Sequence, residues 1–470
     1  MPPRPLVSLA ALVCAGCAPR EPTYADYGDR AVAALERVLY TGAGTWRRCV
    51  GSCGAGNRDW GDDSLTYTLY LRWSIAHEPS IGPIFAALSA TAAVYAPCAG
   101  AACDAWSDMP EWDAIADERE FEVTGDPVAL DRAKRAYASV RDSDAYSRGA
   151  CPTVRYQQPL GGGGGLKTLE TESNAIKAAL LLWRATREPS YLSDAEAAYA
   201  AARAYFLDAT WPLYTVYLFD DGTSCTQLPR RFFASVNGNM IWSGVALANE
   251  TGNARYLDDA TRTATAVDQS LSDGRGVFVD LQAENDVVEP LVEAFYVLAA
   301  ERRWDPARAW ILKNARAAIS GARTPDDLYG RFFDAPAPAA PVTSWQTNGG
   351  AALAVAAAAL APADLLTADA PPAGRSITRD VAALPSSIEF TGSGVVLFGT
   401  LGERCCEPGH AAVMMDGQDM VDQTGIWQNK SSAGVLFEDA TLFAWRWASA
   451  GAHTLTFVPP AANTKEGGPF

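Results

Sequence analysis

Across residues 26–360, apolar positions recur at three- and four-residue spacing, as at 31–39, 65–73, 176–182 and 291–298. This is the periodicity of helices with a buried face. Alanine is frequent here, and its small side chain suits closely packed helices. A short pattern also repeats. Val123-Thr124-Gly125-Asp126-Pro127 is followed by Leu130 and Ala133, and Ala185-Thr186-Arg187-Glu188-Pro189 by Tyr191, Leu192 and Ala195. Glu250-Thr251-Gly252-Asn253 is followed by Tyr256, Leu257 and Ala260. Each reads as a helix end, a tight turn with an N-capping residue and a second helix. His77-Glu78-Pro79-Ser80 and Arg303-Trp304-Asp305-Pro306 read as degenerate copies. The clear turns return roughly every 60 residues, which leaves room for a long loop with each helix pair. Hairpins of this kind can close into an (α/α)6 barrel whose long loops build one face.

Residues 361–380 are rich in Ala and Pro and read as a linker. From 381 to 470 the period changes to two, with short strands predicted at 387–390, 395–400, 411–415, 442–447 and 454–458. Asp416-Gly417 between apolar runs is a hairpin turn. The expected fold is therefore mainly α, a helical-hairpin barrel over 26–360, followed by a small all-β sandwich that is a candidate carbohydrate-binding module. The sequence ends at Glu466-Gly467-Gly468-Pro469-Phe470, soon after the last predicted strand, so a closing strand could be missing.

The first 16 residues read as an export signal: Arg4 as the positive region, a short apolar core from Leu6 to Val13, then Cys14-Ala15-Gly16-Cys17. Ala-Gly-Cys resembles the end of a bacterial lipoprotein box, with Cys17 lipidated and Cys14 where Leu is usual. The expected location is outside the cytoplasm: an outer-membrane, periplasmic or surface lipoprotein, or a secreted protein. Membrane contact is expected only through an anchor at Cys17. The other eight cysteines are an even number, which suits an oxidising compartment. The expected pairs are Cys49–Cys53, Cys98–Cys103 and Cys151–Cys225, with Cys405 and Cys406 adjacent and unassigned.

A net charge of −17 over 470 residues repels phosphate backbones and argues against nucleic-acid binding. The three His, at 77, 410 and 453, are too few for most His-based sites, and no metal or other cofactor is expected.

The most informative segment is Trp106-Ser107-Asp108-Met109-Pro110-Glu111-Trp112-Asp113, with aromatics and carboxylates together at a helix start. Trp faces stack on sugar C–H surfaces, and carboxylates do the acid–base work of glycoside cleavage. Equally, Ser107 or Asp108 can be a plain N-cap and the Trp residues core. Other candidates for the same cleft are Tyr156, near the run Gly161 to Gly165, and Glu172, Asn174, Arg231, Asn237, Asn239 and Trp345. Trp345 serves equally as core. In the C-terminal module Trp427 is the glycan candidate, whereas Trp445 and Trp447 read as packing residues on one strand face.

The order of these features resembles glycoside hydrolase family 76, the endo-α-1,6-mannanases of six-hairpin fold. The resemblance rests on the carboxylate before the aromatic helix at 106–116, the turn at Thr124, Glu172-Ser173-Asn174-Ala175 and Val236-Asn237-Gly238-Asn239. It spans roughly 26–360. It implies a hydrolase acting on a polysaccharide such as an α-1,6-mannan; with the leader the expectation is an exported protein, and a monomer. The family uses two adjacent Asp, as nucleophile and as acid/base, and here only one is present, in Ser107-Asp108-Met109. A retaining mechanism needs two carboxyls about 5 Å apart. Glu111, Asp113 or Asp63, in Asp62-Asp63, are the candidates for the second. The alternative is a surface glycan-binding protein with a broken pair.

Overall fold

The computed structural model describes residues 20–50, 60–96, 106–143, 149–155, 165–209, 211–228, 232–272, 276–279, 286–333, 342–366, 386–401, 410–419, 426–428 and 437–458. Among them, twelve α-helices precede the C-terminal strands: α1 (Tyr24–Ala34), α2 (Trp60–Ala76), α3 (Ile81–Ser89), α4 (Asp108–Thr124), α5 (Pro127–Arg141), α6 (Leu169–Thr186), α7 (Pro189–Phe206), α8 (Ala234–Thr251), α9 (Ala254–Ser270), α10 (Glu289–Ala300), α11 (Asp305–Ala317) and α12 (Ser344–Leu360). Helices α1 and α11 each run on into a π-helical turn.

The even-numbered helices form a closed inner ring, in which α2 packs on α4, α4 on α6, α6 on α8, α8 on α10, α10 on α12 and α12 on α2. The odd-numbered helices lie outside, with α1 against α12. The fold is the expected six-hairpin barrel. The sequence basis is a difference in pattern. Inner helices are buried on every side, as along Leu169 to Leu182, whereas α9 buries one stripe, Asp259, Ala260, Thr263, Ala264 and Val267. Small residues permit the closest approaches. A Cβ on Gly238 of α8 would fall 2.4 Å from the backbone nitrogen of Leu291 in α10.

Each of the five repeated turns contains a residue in the left-handed region. It directly follows the inner helix at His77 (φ 47), Gly125 (φ 72), Arg187 (φ 59) and Gly252 (φ 71), whereas α10 ends at Ala300 and Arg303 (φ 52) comes three residues later. That conformation ends a helix by turning the chain out of it. Asp126 and Asn253 then cap the outer helices, accepting from Val128 N at 2.9 Å and Arg255 N at 3.2 Å. Because each short turn joins an inner C-terminus to an outer N-terminus, the inner helices run parallel. Their N-termini converge at one end, the mouth, together with the longer loops.

A small antiparallel sheet decorates the mouth, β1 (Leu166–Thr168), β2 (Tyr217–Asp220) and β3 (Cys225–Gln227), in that order. The expected Cys151–Cys225 disulfide fastens it. Cys49 is also disulfide-bonded, to a partner outside the described residues, where Cys53, Cys98 and Cys103 also fall. Asp220 braces the bridge, accepting from the backbone N–H of Ala150, Cys151 and Gly222 and pairing with buried Lys167 at 3.0 Å.

Past the barrel, the first residues of the expected linker return to α1, with Tyr24 N donating to Asp364 O at 3.1 Å. The C-terminal strands are β4 (Ser387–Leu401), β5 (His410–Met415), β6 (Gln418–Asp419), β7 (Ile426–Gln428) and β8 (Phe437–Val458). They form one antiparallel sheet, β4-β8-β5-β6, with β7 beside β5. The strands expected at 387–390 and 395–400 are one long strand. Its break in pattern is a register shift between Gly392 and Gly394. The Asp416-Gly417 hairpin is present, with both residues at positive φ. The described strands comprise one layer. No helix among the described residues is long and apolar enough to cross a membrane.

Candidate active site

Six parallel helix N-termini meeting at one end create a positive field that favours negative groups. The first turns there carry Asp62 and Asp63 on α2, Asp108 and Glu111 on α4, Glu172 on α6 and Glu289 on α10.

Helix α4 sorts its residues by face. Asp108, Trp112 and Arg119 follow at four and seven residues and share the face toward the barrel axis. Trp112, 4% exposed, stacks on Tyr67 of α2 with ring centroids 5.7 Å apart, and the Tyr67 hydroxyl donates to the Trp112 carbonyl at 2.7 Å. Asp63 lies one turn before Tyr67, and Asp108 one turn before Trp112. The two carboxylates thus stand one turn above a stacked pair, on neighbouring parallel helices. Asp108 is half-buried, and its Oδ1 has no hydrogen-bond partner among the described residues. Burial pushes its pKa up to about 6. Ser107 occupies the cap position but makes no capping bond through its side chain. Asp63 is fully buried, and its charge is felt by Tyr67.

The other two carboxylate candidates face elsewhere. Glu111 looks toward Arg155 and Glu172. It is fully buried, neither carboxylate oxygen has a partner among the described residues, and burial pushes its pKa well above the usual range. Arg155 is committed to Glu172, at 2.9 Å from Nη1 to Oε1 and 3.1 Å from its backbone nitrogen to Oε2. Asp113 accepts a hydrogen bond from Tyr95.

Among the binding candidates, Trp106 is 50% exposed beside the mouth. Asn174 and Asn239 bond to each other at 2.6 Å, and Asn239 also meets Lys177. Asn237 is used structurally. Its Oδ1 accepts from Tyr214 N at 2.9 Å, and its Nδ2 donates to Tyr214 O and Phe233 O. Trp345 is 2% exposed and packs edge-on against Trp60, so it closes the ring from within. Tyr156 and Arg231 lie outside the described residues, as does the side chain of Trp427.

Sequence reasoning missed the floor of the funnel. Arg119 reaches from α4 to Glu293 of α10 with contacts of 2.5 and 2.6 Å, and Lys177 of α6 adds a third at 2.6 Å. Arg119 also lies over the Tyr67 ring at 4.1 Å. Burial would raise Glu293, but the two cations override it and hold its pKa near about 2. Glu289, one turn earlier, receives neither cation in a hydrogen bond. Both its oxygens are buried without a partner among the described residues, and burial followed by the charge of Glu293 pushes its pKa up to about 8. Asn348 of α12 fixes this turn by accepting from the N–H groups of Val288 and Glu289. A signal was present: Glu289 and Glu293 sit at helical spacing within the apolar run Val287 to Leu298.

No protein-family model matches the sequence. No curated protein matches it either. Solved structures do match in fold. The chain is similar to the family 76 α-1,6-mannanase of Salegentibacter sp., with 19% identity, a TM-score of 0.61 and coverage of 72% of this chain and 99% of that one. It is similar to a family 76 glycoside hydrolase (mannosidase) of Bacteroides thetaiotaomicron, with 15% identity, a TM-score of 0.60 and coverage of 72% and 98%. Dfg5 of Chaetomium thermophilum, solved with glucosamine, matches with 14% identity, a TM-score of 0.58 and coverage of 72% and 89%. An inactive variant of the Salegentibacter enzyme was solved with α-1,6-mannotetrose. The chain therefore has the six-hairpin fold of family 76 glycoside hydrolases, at low sequence identity.

Proposed function

We propose that this chain is a glycan-active protein of the glycoside hydrolase type, acting on a polysaccharide such as an α-1,6-mannan. The observation that carries the proposal is the placement of Asp108 and Asp63 on neighbouring inner helices, one turn above the Tyr67–Trp112 stack. In this reading Asp108 meets the sugar at the reacting carbon, and Asp63 supplies the second carboxyl that glycoside cleavage requires. Trp106 stacks against a bound ring. Glu111, Glu172, Asp113 and Asn174 support the wall behind. The leader and Cys17 support an exported protein, anchored or secreted. The Cys151–Cys225 disulfide suits that compartment. The C-terminal module, carrying Trp427, is proposed as an accessory carbohydrate-binding domain.

A second reading, a glycan-binding protein without catalysis, is favoured by the single Asp of Ser107-Asp108-Met109 where family 76 has two adjacent Asp. Product release from α-1,6-mannan and a panel of exported polysaccharides, measured for wild type, Asp108→Asn and Asp63→Asn, separates the two. Cleavage lost in both variants supports the hydrolase. Binding without cleavage by the wild type supports the second reading, and neither binding nor cleavage overturns both.

A further inference from the structure

Three large aromatic side chains stand exposed among the described residues: Trp106 at 50%, Phe219 at 37% and Trp211 at 36%. All lie at the mouth end, and they follow the ring in order. Trp106 leads into α4. Phe219 is on β2, paired through Leu166 of β1 with the strand that enters α6. Trp211 lies in the turn that Asn237 holds to α8. Helices α4, α6 and α8 are consecutive in the inner ring.

The positions of Trp211 and Phe219 are built. The Trp211 backbone N–H donates to Asp208 Oδ1 at 3.0 Å, and its ring meets Phe232 edge-on at 5.8 Å. The turn behind it is gripped by Asn237 through both the N–H and the carbonyl of Tyr214. The Phe219 ring lies against Gly165, where a Cβ would come within 3.3 Å. Gly165 is at φ +93, which also favours glycine there. Exposed apolar residues scattered singly are ordinary, but these three lie at one end of the barrel, in ring order.

We propose that Phe219 and Trp211 form a stacking track for successive rings of an extended glycan, continuing from Trp106 along the α4–α6–α8 side of the mouth. The track rests on the glycan reading above and goes beyond it by assigning two residues and a direction to the bound chain. Second neighbours in a ring of helices about 9 Å apart are about 16 Å from each other, a span for an oligosaccharide and not for one sugar. Asn237 is then a positioning residue, acting through the turn that carries Trp211.

The test is the affinity of the full chain for α-1,6-mannan oligosaccharides of two to six units, by titration calorimetry, for wild type, Trp211→Ala, Trp211→Phe and Phe219→Ala. Where the panel singles out another glycan, its own length series is used. Trp211→Ala and Phe219→Ala are each expected to weaken the longest ligand about tenfold, so that the gain of affinity with length collapses, while Trp211→Phe keeps most of it. Unchanged affinity for the longest ligand, or equal losses at every length, overturns the track and leaves the glycan reading standing. Failure of the wild type to bind any glycan overturns both.

Discussion

Arg119 holds both carboxylate oxygens of Glu293 from the opposite side of the inner ring, since α4 and α10 are three positions apart among six. The pair spans the barrel like a strut beneath the mouth. Removing one partner of a buried pair leaves an uncompensated charge, which is far costlier than losing an exposed one. Arg119→Met is expected to destabilise the fold by about 3 kcal/mol, at the lower end for such pairs because Lys177 still holds Glu293. Arg119→Met with Glu293→Gln should recover part of that loss in urea unfolding followed by circular dichroism.

Glu289 sets a pH dependence. Its carboxyl ionises in the folded chain at about 8, against about 4.5 in an unfolded one. The unfolded chain therefore releases this proton first. Stability contributed by the neutral form is full at acidic pH, declines as pH rises from about 4.5 to about 8, and changes little above that. Glu289→Gln should match the wild type near pH 4 and exceed it by at least ~1 kcal/mol at pH 8. Denaturant midpoints across that range test this.

Asp108 predicts the acid limb of activity. A carboxylate pushed up to about 6 is lost as a nucleophile or base below that pH. On the hydrolase reading, kcat/KM should fall on the acid side with a midpoint near 6, and Asp108→Asn should abolish turnover at every pH.

Gly238 has no room for a side chain, because a Cβ would lie 2.4 Å from Leu291 N and 2.5 Å from the Pro290 carbonyl carbon. Gly238→Ala must push α8 from α10 and is expected to cost about 3 kcal/mol. A fall in melting temperature measures it.

The Cys151–Cys225 bridge closes a loop of sequence separation 74. Chain-entropy arguments put its contribution at about 4 kcal/mol. Cys151→Ser with Cys225→Ser should lower the melting temperature markedly, and reductant should then have a smaller effect than on the wild type.

The barrel was legible because its punctuation repeats. Even the degenerate turns at His77 and Arg303 keep a left-handed residue, as those at Gly125 and Gly252 do. The Asp416-Gly417 hairpin was legible for a similar local reason, and the Cys151–Cys225 pairing, 74 residues apart, from the even number of cysteines. The helix start carrying Asp108 and Trp112 was legible too, but that Trp112 turns inward onto Tyr67 was not. The floor was not, because Arg119, Lys177 and Glu293 come from three helices and meet only when the ring closes. Glu111 shows the same limit: spacing puts it beside Asp108, but only packing shows that it faces Arg155 and Glu172. Asn237 was recognised as a polar residue in a significant place, yet its work is to hold Tyr214, 23 residues earlier.

Helix α1 completes the outer layer by packing on α12, and Tyr24 meets the segment that follows α12. In chain order α1 therefore waits for α12, the last helix of the ring, before it has a place to sit. Until α12 emerges, the apolar face of α1 and the open edge of α2 have no cover, and every shorter nascent barrel is a broken ring. Truncation within 344–366 should thus remove the whole barrel and not just its final hairpin. Conversely, the seam where the barrel's two ends meet is a natural place to rejoin a chain opened elsewhere, since the ring itself records no beginning.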